Sequence, residues 1–277
     1  MAVRPERVPA EEVRQRMLDA GRELALEAGA ALTIEHLRLE EVIQRARVPR
    51  SSVYRLWAYR DEYIDDLLSY LAGAGSEFSD RPLFDPETLA ITKQMLDDNR
   101  HLLATPDGRR ALMREVVRLT TTRNYRSLTE SPEWRLHMAL IATLGSTRTG
   151  EARRLIAAAL EESQKRSREL LVAVFEYVAG EIGMRLRDPA WSASHLQLAG
   201  GLLVQSLALR NLQLQAADGA PEAAVADALL NGPIPGPSLT GEPTDWTLVA
   251  HAYLGLVEAF VELDPDWVPP AARPPES

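Results

Sequence analysis

The sequence contains no cysteine and only two lysines, Lys93 and Lys165, among its 277 residues. The absence of cysteine excludes disulfide bonds, a thiol nucleophile and thiolate metal ligands. It is compatible with the reducing cytoplasm, which is where we expect the protein to act. Hydrophobic residues make up 45% of the chain and charged residues 26%, which is typical of a folded globular protein rather than a disordered one.

A second absence concerns charge, because residues 189–209 contain no Asp, Glu, Lys or Arg. Their serine, histidine and glutamine side chains would be costly in the hydrocarbon core of a bilayer. The run therefore predicts a buried helix of a soluble protein, and we expect no membrane partner.

Motifs of several enzyme classes are also missing. The chain has no G-x-S-x-G, no phosphate-binding loop, no G-x-G-x-x-G and no H-E-x-x-H. The E-x-x-H pattern of helical di-iron proteins does not occur, and five scattered histidines do not form a metal cluster. We expect a protein that is not an enzyme and needs neither a metal ion nor a cofactor.

The basic residues that are present are unevenly distributed. The net charge of −9 argues against a protein that coats nucleic acid indiscriminately. Charges farther apart than about 8 Å are largely screened in physiological salt, so a local cluster can act independently of the net charge. Such a cluster lies within residues 42–60, which contain no acid and five arginines: Arg45, Arg47, Arg50, Arg55 and Arg60.

Hydrophobic periodicity predicts an all-α protein. Four N-terminal helices are expected at residues 11–28, at residues 39–46, from near Pro49 to about Trp57, and from Arg60 onward. Residues 73–86 are expected to be a connector, and the Gly- and Pro-rich residues 219–243 to lack continuous structure. Further helices are predicted at residues 87–104, 109–122, 133–144, 151–187, 193–216 and 245–263.

Residues 39–57 have the pattern of a helix-turn-helix. The first short helix is broken at Arg47-Val48-Pro49, because proline disfavours a helical conformation in the residue before it. The second helix is rich in arginine, serine and tyrosine. In a helix-turn-helix the first helix crosses the phosphate backbone while the second enters the major groove.

The segment VIQRARVPRSSVYRLW at residues 42–57, continued by RDEYI at residues 60–64, resembles the DNA-binding signature of the TetR family of bacterial transcriptional regulators. The resemblance covers roughly residues 13–72 and implies a three-helix helix-turn-helix DNA-binding domain at residues 11–72. A larger helical ligand-binding and dimerisation domain would follow at residues 73–268. A flexible arm at residues 1–10 and a disordered tail at residues 269–277 complete the predicted organisation.

The resemblance implies DNA contacts at matching positions of this sequence. At the start of the recognition helix, Arg50, Ser51 and Ser52 would reach base edges or phosphates. An arginine there can bridge guanine with two hydrogen bonds, worth about 1–3 kcal/mol of discrimination. The remaining implied residues contact phosphate or attract DNA without sequence preference. They are Arg38, Arg45, Arg47, Tyr54, Arg55 and Arg60.

Several positions depart from the family pattern. Arg47 replaces the turn glycine, and a positive φ at an arginine costs about 1–2 kcal/mol. Ser51 replaces a second common glycine, and Leu56 replaces a frequent histidine. Arg38 stands where a serine or threonine usually caps the second helix. We expect Trp57 to anchor the core rather than to contact a base.

The second domain is expected to form a twofold dimer and to bind a small molecule, because the family does both. The candidate dimer residues lie on two late helices: Leu198, Leu202, Gln205, Leu209, Tyr253, Leu256 and Phe260. The candidate ligand contacts are large, adaptable side chains: Met113, Trp134, Met138, Phe175 and Tyr177.

The predicted function is a ligand-responsive transcriptional regulator, a repressor that binds palindromic operator DNA as a homodimer and is released by a small-molecule inducer. The alternative is a helical ligand-binding or adaptor protein of the same fold without sequence-specific DNA binding, which the arginine in the turn favours. DNA selected from a random pool separates the two, because only the regulator would enrich a sequence.

Overall fold

A computed structural model describes residues 9–28, 37–72, 86–144, 150–217 and 220–269. Within these ranges the protein is mainly α-helical, as predicted, and its four strands have three residues each. The predicted arm, connector and tail lie outside the described residues, except for Pro9, Ala10, Pro86 and Pro269.

The described helices are numbered in chain order, and a 3₁₀-helix at Arg100–Ala104 separates α5 from α6. They are α1 (Ala10–Ala28), α2 (Leu39–Ala46), α3 (Arg50–Leu56), α4 (Arg60–Ala72), α5 (Pro86–Asp98), α6 (Pro106–Glu130), α7 (Pro132–Thr143), α8 (Gly150–Ile182), α9 (Ala193–Ala216), α10 (Pro221–Asn231) and α11 (Leu248–Phe260). Two antiparallel pairs are formed by β1 (Met184–Leu186) with β4 (Val261–Leu263), and by β2 (Ile234–Gly236) with β3 (Thr244–Trp246).

Several predicted helix bounds need correction. The helix predicted at residues 87–104 ends at Asp98 and is followed by the 3₁₀-helix, and the one predicted at residues 109–122 extends from Pro106 to Glu130. The one predicted at residues 245–263 is the shorter α11, which lies between β3 and β4. The long helix expected to reach residue 187 ends at Ile182, because Gly183 adopts a φ of +72° that stops it and β1 follows. The segment 219–243, expected to lack continuous structure, contains α10. Pro221 occupies the first turn of α10, where its missing N–H costs nothing, and the alanines after it favour a helix.

By its internal contacts the chain divides into two units. The first consists of Met1–Pro82 and Ser131–Lys165, and the second of Leu83–Glu130 and Arg166–Ser277. The first unit therefore adds α7 and the beginning of α8 to the N-terminal helices, whose predicted domain ends at residue 72. That boundary stays a prediction.

The core of the first unit holds α3 against α1 and α4. Met17 on α1 and Val53 on α3 are fully buried, and Trp57 is 3% exposed, which confirms Trp57 as a core anchor. The Trp57 ring meets Tyr63 edge-on at 5.2 Å, and its indole N–H donates to Asp66 Oδ2 at 2.9 Å. The tyrosine hydroxyl donates to the Met17 carbonyl at 3.0 Å. These contacts fix the end of α3 while leaving its N-terminal turn at the surface.

The core of the second unit is built where α6, α9 and α11 pack on one another. At one end of it Arg109 of α6 is 7% exposed. Its guanidinium donates to the carbonyls of Ile182, at 2.7 Å, and Gly183, and stacks 4.6 Å from the Trp267 ring centre. The cation thus donates to carbonyls at the C-terminal end of α8, for which the helix itself provides no N–H donor.

None of the helices in the described ranges combines the length and apolar character that a bilayer span requires. The charge-free run predicted to be a buried helix forms α9 from Ala193 onward. One face of α9 is buried through Leu196, Val204 and Ala208, whereas its opposite face exposes leucines.

Arg47 sits in the left-handed region, with φ 53° and ψ 45°, and its N–H closes α2 by donating to the Gln44 carbonyl at 3.3 Å. The positive φ predicted for this turn is confirmed. Because glycine adopts this conformation without the steric cost, we expect Arg47→Gly to raise the free energy of unfolding by about 0.5–1 kcal/mol. Urea denaturation followed by circular dichroism measures this change.

The control for that variant is Arg55→Gly, which places the same residue inside a helix. Arg55 lies within α3, where glycine destabilises by about 1 kcal/mol. The two variants should therefore change stability in opposite directions. A loss of stability in both would contradict the strain assigned to Arg47.

Candidate functional site

The N-terminal half of α3 presents a basic, polar face to solvent. Val53 is fully buried, whereas the Arg50 side chain is 65% exposed and Tyr54 is 47% exposed. Ser51 and Arg55 are also exposed, and Ser52 is half-buried. All five predicted contacts of this helix therefore lie together on or near one surface, which we call the α3 face.

Hydrogen bonds within the α3 face tie its cations to neighbouring acceptors. Arg55 Nε donates to the Ser51 carbonyl at 3.1 Å. Glu40 Oε1, in the first turn of α2, accepts from Arg50 Nη2 at 3.4 Å and from the Tyr54 hydroxyl at 3.3 Å. These exposed contacts are long and weak, so Arg50 and Tyr54 can leave Glu40 for a stronger acceptor.

Two of the predicted contact residues are occupied by other parts of the first unit. Arg45 donates from Nη1 and Nη2 to both carboxylate oxygens of Glu27, at 2.7 and 2.8 Å, and approaches Glu23 at 3.5 Å. The hydrogen bond from Arg45 lowers the pKa of Glu27. Arg60, at the start of α4, donates from Nε and Nη2 to the Leu37 carbonyl at 3.1 and 3.0 Å.

The other two arginines flank α2. Arg38 is the residue before the helix, with φ −84° and ψ 121°, and its side chain makes no capping hydrogen bond. Arg47 ends the helix, and both side chains are exposed. Arg38 thus stands at the capping position of α2 without capping it, and its cation is exposed.

The predicted dimer residues separate into an outward and an inward group. Leu198, Leu202 and Leu209 of α9 are 53%, 57% and 42% exposed, and Gln205 between them is half-buried. Their spacing places all four on one side of the helix. We call this the α9 stripe.

Within α11 the predicted dimer residues face the interior of the second unit. The Tyr253 ring packs on Gly200, where an added Cβ would lie 2.4 Å from Cε2. Its hydroxyl donates to Gln197 Oε1 at 3.3 Å. Phe260 stacks on Trp191 at 4.5 Å, and Leu256 is half-buried against the core. The absence of a side chain at Gly200 thus admits a tyrosine of the same chain.

Sequence reasoning missed exposed apolar residues on α10. Val225 and Leu229 are 64% and 70% exposed and lie one helical turn apart. Because α10 packs on α9 and α11, these side chains belong to the same unit as the α9 stripe. The i, i+4 spacing of two apolar residues after Pro221 indicates a helix. The many glycines and prolines that follow favoured an irregular segment instead.

Two small adjoining cavities lie inside the second unit. The larger, of about 80 Å³, is lined by Met113, Phe175 and Tyr253 among others, and the smaller, of about 50 Å³, by Asn124 and Tyr253 among others. Both are also lined by Thr120, Leu171 and Gln197. This pair of cavities, which we call the body pocket, therefore includes two of the five predicted ligand contacts.

The other three predicted ligand contacts lie elsewhere. Trp134, which is 1% exposed, and Met138 are on α7 in the first unit. Tyr177 stays in the second unit, where Lys93 Nζ lies 5.2 Å from its ring centre. Large apolar side chains are frequent in any core, so size alone could not distinguish the residues of the pocket from these three.

Comparisons of the chain with models of protein families, with curated proteins and with solved structures give no match. Within the described ranges, no group of three His, Cys, Asp or Glu side chains could hold a metal ion. The α3 face, the α9 stripe and the body pocket are therefore interpreted from their residues and geometry alone.

Proposed function

We propose that the protein is a ligand-responsive transcriptional regulator, acting as a repressor, that binds palindromic DNA as a homodimer through the α3 face. The observation that carries this proposal is the division of α3 into a buried anchor and an exposed reading surface. Val53 and Trp57 fix the helix, while Arg50, Ser51 and Arg55 face solvent. The protein would resemble the TetR family in this arrangement.

The chemistry of the α3 face fits the major groove. A guanidinium can donate two parallel hydrogen bonds to O6 and N7 of guanine, and Arg50 has the exposed position from which to do so. The Tyr54 hydroxyl and Arg55 can donate to phosphate oxygens and so hold the helix in register. Since α3 contains no acidic residue, the helix itself adds no repulsion from phosphate.

Dimer formation is supported by the α9 stripe. Three leucines on one side of a helix, each about half exposed, form a surface that a second copy of the same helix can cover. A twofold dimer presents two copies of α3, and two recognition helices about 34 Å apart can contact two half-sites of a palindrome.

Regulation by a small molecule is assigned to the body pocket, which is lined from α6, α8, α9 and α11. A ligand there would favour one arrangement of the dimer over another. It lowers the affinity for DNA only by as much as its own affinity differs between the two arrangements.

The alternative, a helical ligand-binding or adaptor protein without sequence-specific DNA binding, is favoured by the acids next to the basic cluster. Glu27 and Glu23 engage Arg45, and Glu40 contacts Arg50 and Tyr54. These neighbouring carboxylates weaken the attraction to phosphate that the five arginines of residues 42–60 would otherwise exert.

Selection of DNA from a random pool by the purified protein tests the proposal. The parent should enrich a palindromic sequence. Arg50→Ala should lose about 1–3 kcal/mol of discrimination at one base pair per half-site, because the bidentate contact to guanine is gone. Affinities for the enriched site and its single-base variants, measured by fluorescence anisotropy at fixed salt, give this loss.

The matched control is Arg126→Ala, which removes the same charge from an exposed position of the second unit. It should leave base preference unchanged. Uniform weakening in Arg50→Ala, with a shallower dependence on salt, would instead make Arg50 a phosphate contact. A parent protein that enriches no sequence contradicts the regulator and supports the alternative.

A further inference from the structure

The body pocket is chemically uneven, with an apolar part and a small polar part. Its larger cavity is lined by aromatic and sulfur-containing side chains, among them Phe175, Met113 and Met184. Thioether sulfur contacts aromatic rings favourably, and methionine adapts to irregular shapes. No charged side chain occurs among the described residues that line either cavity. An uncharged aromatic guest suits this lining, because a buried unpaired charge would be strongly disfavoured.

The polar part contains an unsatisfied acceptor. Asn124 lines the smaller cavity, and its Oδ1 is buried with no hydrogen-bond partner among the described residues. A buried polar atom without a partner costs free energy, which a guest that donates a hydrogen bond would recover. The side chain thus selects for a donor group on the guest.

Tyr253 and Gln197 stand where the two cavities adjoin. Both residues line both cavities, and the tyrosine hydroxyl donates to Gln197 Oε1 at 3.3 Å. Burial raises the pKa of Tyr253 to about 12, so the hydroxyl stays neutral at physiological pH. Neither cavity, at about 80 and 50 Å³, reaches the roughly 150 Å³ of a cavity known to hold benzene. Even joined, the two spaces stay below that volume, so a ring can enter only if this pair separates and neighbouring side chains also move.

We propose that the body pocket binds a small, uncharged aromatic molecule carrying a hydrogen-bond donor, a phenol being the simplest case, and that Tyr253 moves to admit it. The aromatic ring lies among Phe175, Met113 and Met184, and the donor reaches Asn124. That this ligand acts as an effector rests on the proposed function, whereas its chemistry follows from the lining of the pocket.

Calorimetric titration of the full-length protein with four probes of similar shape tests the ligand chemistry. The probes are p-cresol, p-xylene, p-toluate and 4-methylbenzylammonium. We expect p-cresol to bind about tenfold more tightly than p-xylene, since its hydroxyl meets the unsatisfied acceptor. The two charged probes should not bind. Equal affinities for p-cresol and p-xylene, tighter binding of a charged probe, or no binding of p-cresol would overturn the proposal.

Two variants, with one control, test the roles assigned to Asn124 and Tyr253. Asn124→Leu should abolish the advantage of p-cresol over p-xylene, whereas Gln213→Leu, which changes an exposed amide on α9, should preserve it. Tyr253→Phe removes the hydrogen bond to Gln197 and should speed the association of p-xylene about fivefold in stopped-flow measurements. An unchanged rate would contradict the role of Tyr253. The comparison of probes in the parent protein stands even if a variant fails to fold.

A separate measurement of DNA binding distinguishes a failure of the proposed ligand chemistry from a failure of the proposed regulatory function. Binding of p-cresol with the expected selectivity supports the ligand chemistry whether or not the protein recognises DNA. If p-cresol binds but leaves the affinity for the selected DNA unchanged, regulation through this pocket is contradicted while the pocket's chemistry stands. If DNA is recognised but p-cresol does not bind, the ligand chemistry alone is overturned.

Discussion

Replacing Leu202 by glutamate is expected to convert the proposed homodimer into monomers. Leu202 is 57% exposed at the middle of the α9 stripe, so in a dimer of twofold symmetry each copy would bring a carboxylate into the apolar interface. An uncompensated buried charge costs about 3–5 kcal/mol, which raises the dissociation constant of the dimer at least about 100-fold. Sedimentation velocity over a range of protein concentrations measures this change.

The same variant should lose most of its affinity for a palindromic site, because a monomer contacts only one half-site. Leu155→Glu is the matched control: Leu155 is 53% exposed but lies on the part of α8 that belongs to the first unit. It should remain dimeric. A parent protein that is monomeric at all concentrations, or a Leu202→Glu protein that dimerises as the parent does, would contradict the interface.

The parts of the fold that sequence predicted well depend on local interactions. The end of α2 follows from the break that Pro49 imposes on the residue before it. The positive φ of Arg47 was implied by the resemblance, in which a glycine stands at this position. Trp57 could be assigned to the core because apolar residues recur around it at helical spacing. In each case the determining residues lie within a few positions of one another, so the pattern in the sequence contains the physical cause.

The parts that sequence missed depend on pairs that are distant along the chain. Arg45 meets Glu27 across 18 residues, and Tyr253 meets Gln197 across 56. The arginine count of residues 42–60 therefore does not reveal that Arg45 is paired with Glu27, and the helical spacing of Tyr253 does not reveal which way its side chain faces. Packing between distant elements decides both outcomes, and a single sequence gives no information about it.

Packing between distant elements also decides which helices belong to the first unit. Leu136 and Leu140 of α7, with Ile156 of α8, belong to the hydrophobic cluster that contains Val53. Their periodicity predicts a helix with a buried face but does not identify the helices that cover it. Residues 80 or more positions beyond α3 thus share its hydrophobic cluster. The domain implied by the resemblance ends at residue 72, and that boundary stays a prediction.

Acidification from pH 7 to pH 4 is expected to remove about 3 kcal/mol of unfolding free energy through His137 alone. This residue of α7 is 1% exposed, and burial lowers its pKa to about 4, against about 6.5 in an unfolded chain. Between those values the unfolded state binds the proton more tightly than the folded state, so stability falls as the pH falls. The contribution is complete above pH 6.5 and is lost progressively below it.

Urea unfolding at several pH values gives the unfolding free energy of the parent and of His137→Leu. The contribution of His137 is the change with pH in the difference between these two free energies. The pH dependence that the carboxylates give to both proteins cancels in the difference. Any constant effect of the substitution on packing does not change with pH. The difference should move by about 3 kcal/mol in favour of the variant between pH 7 and pH 4. His101→Gln, which changes an exposed histidine of the second unit, should follow the parent throughout. A constant difference between the parent and His137→Leu would show that His137 does not stay neutral when it is buried.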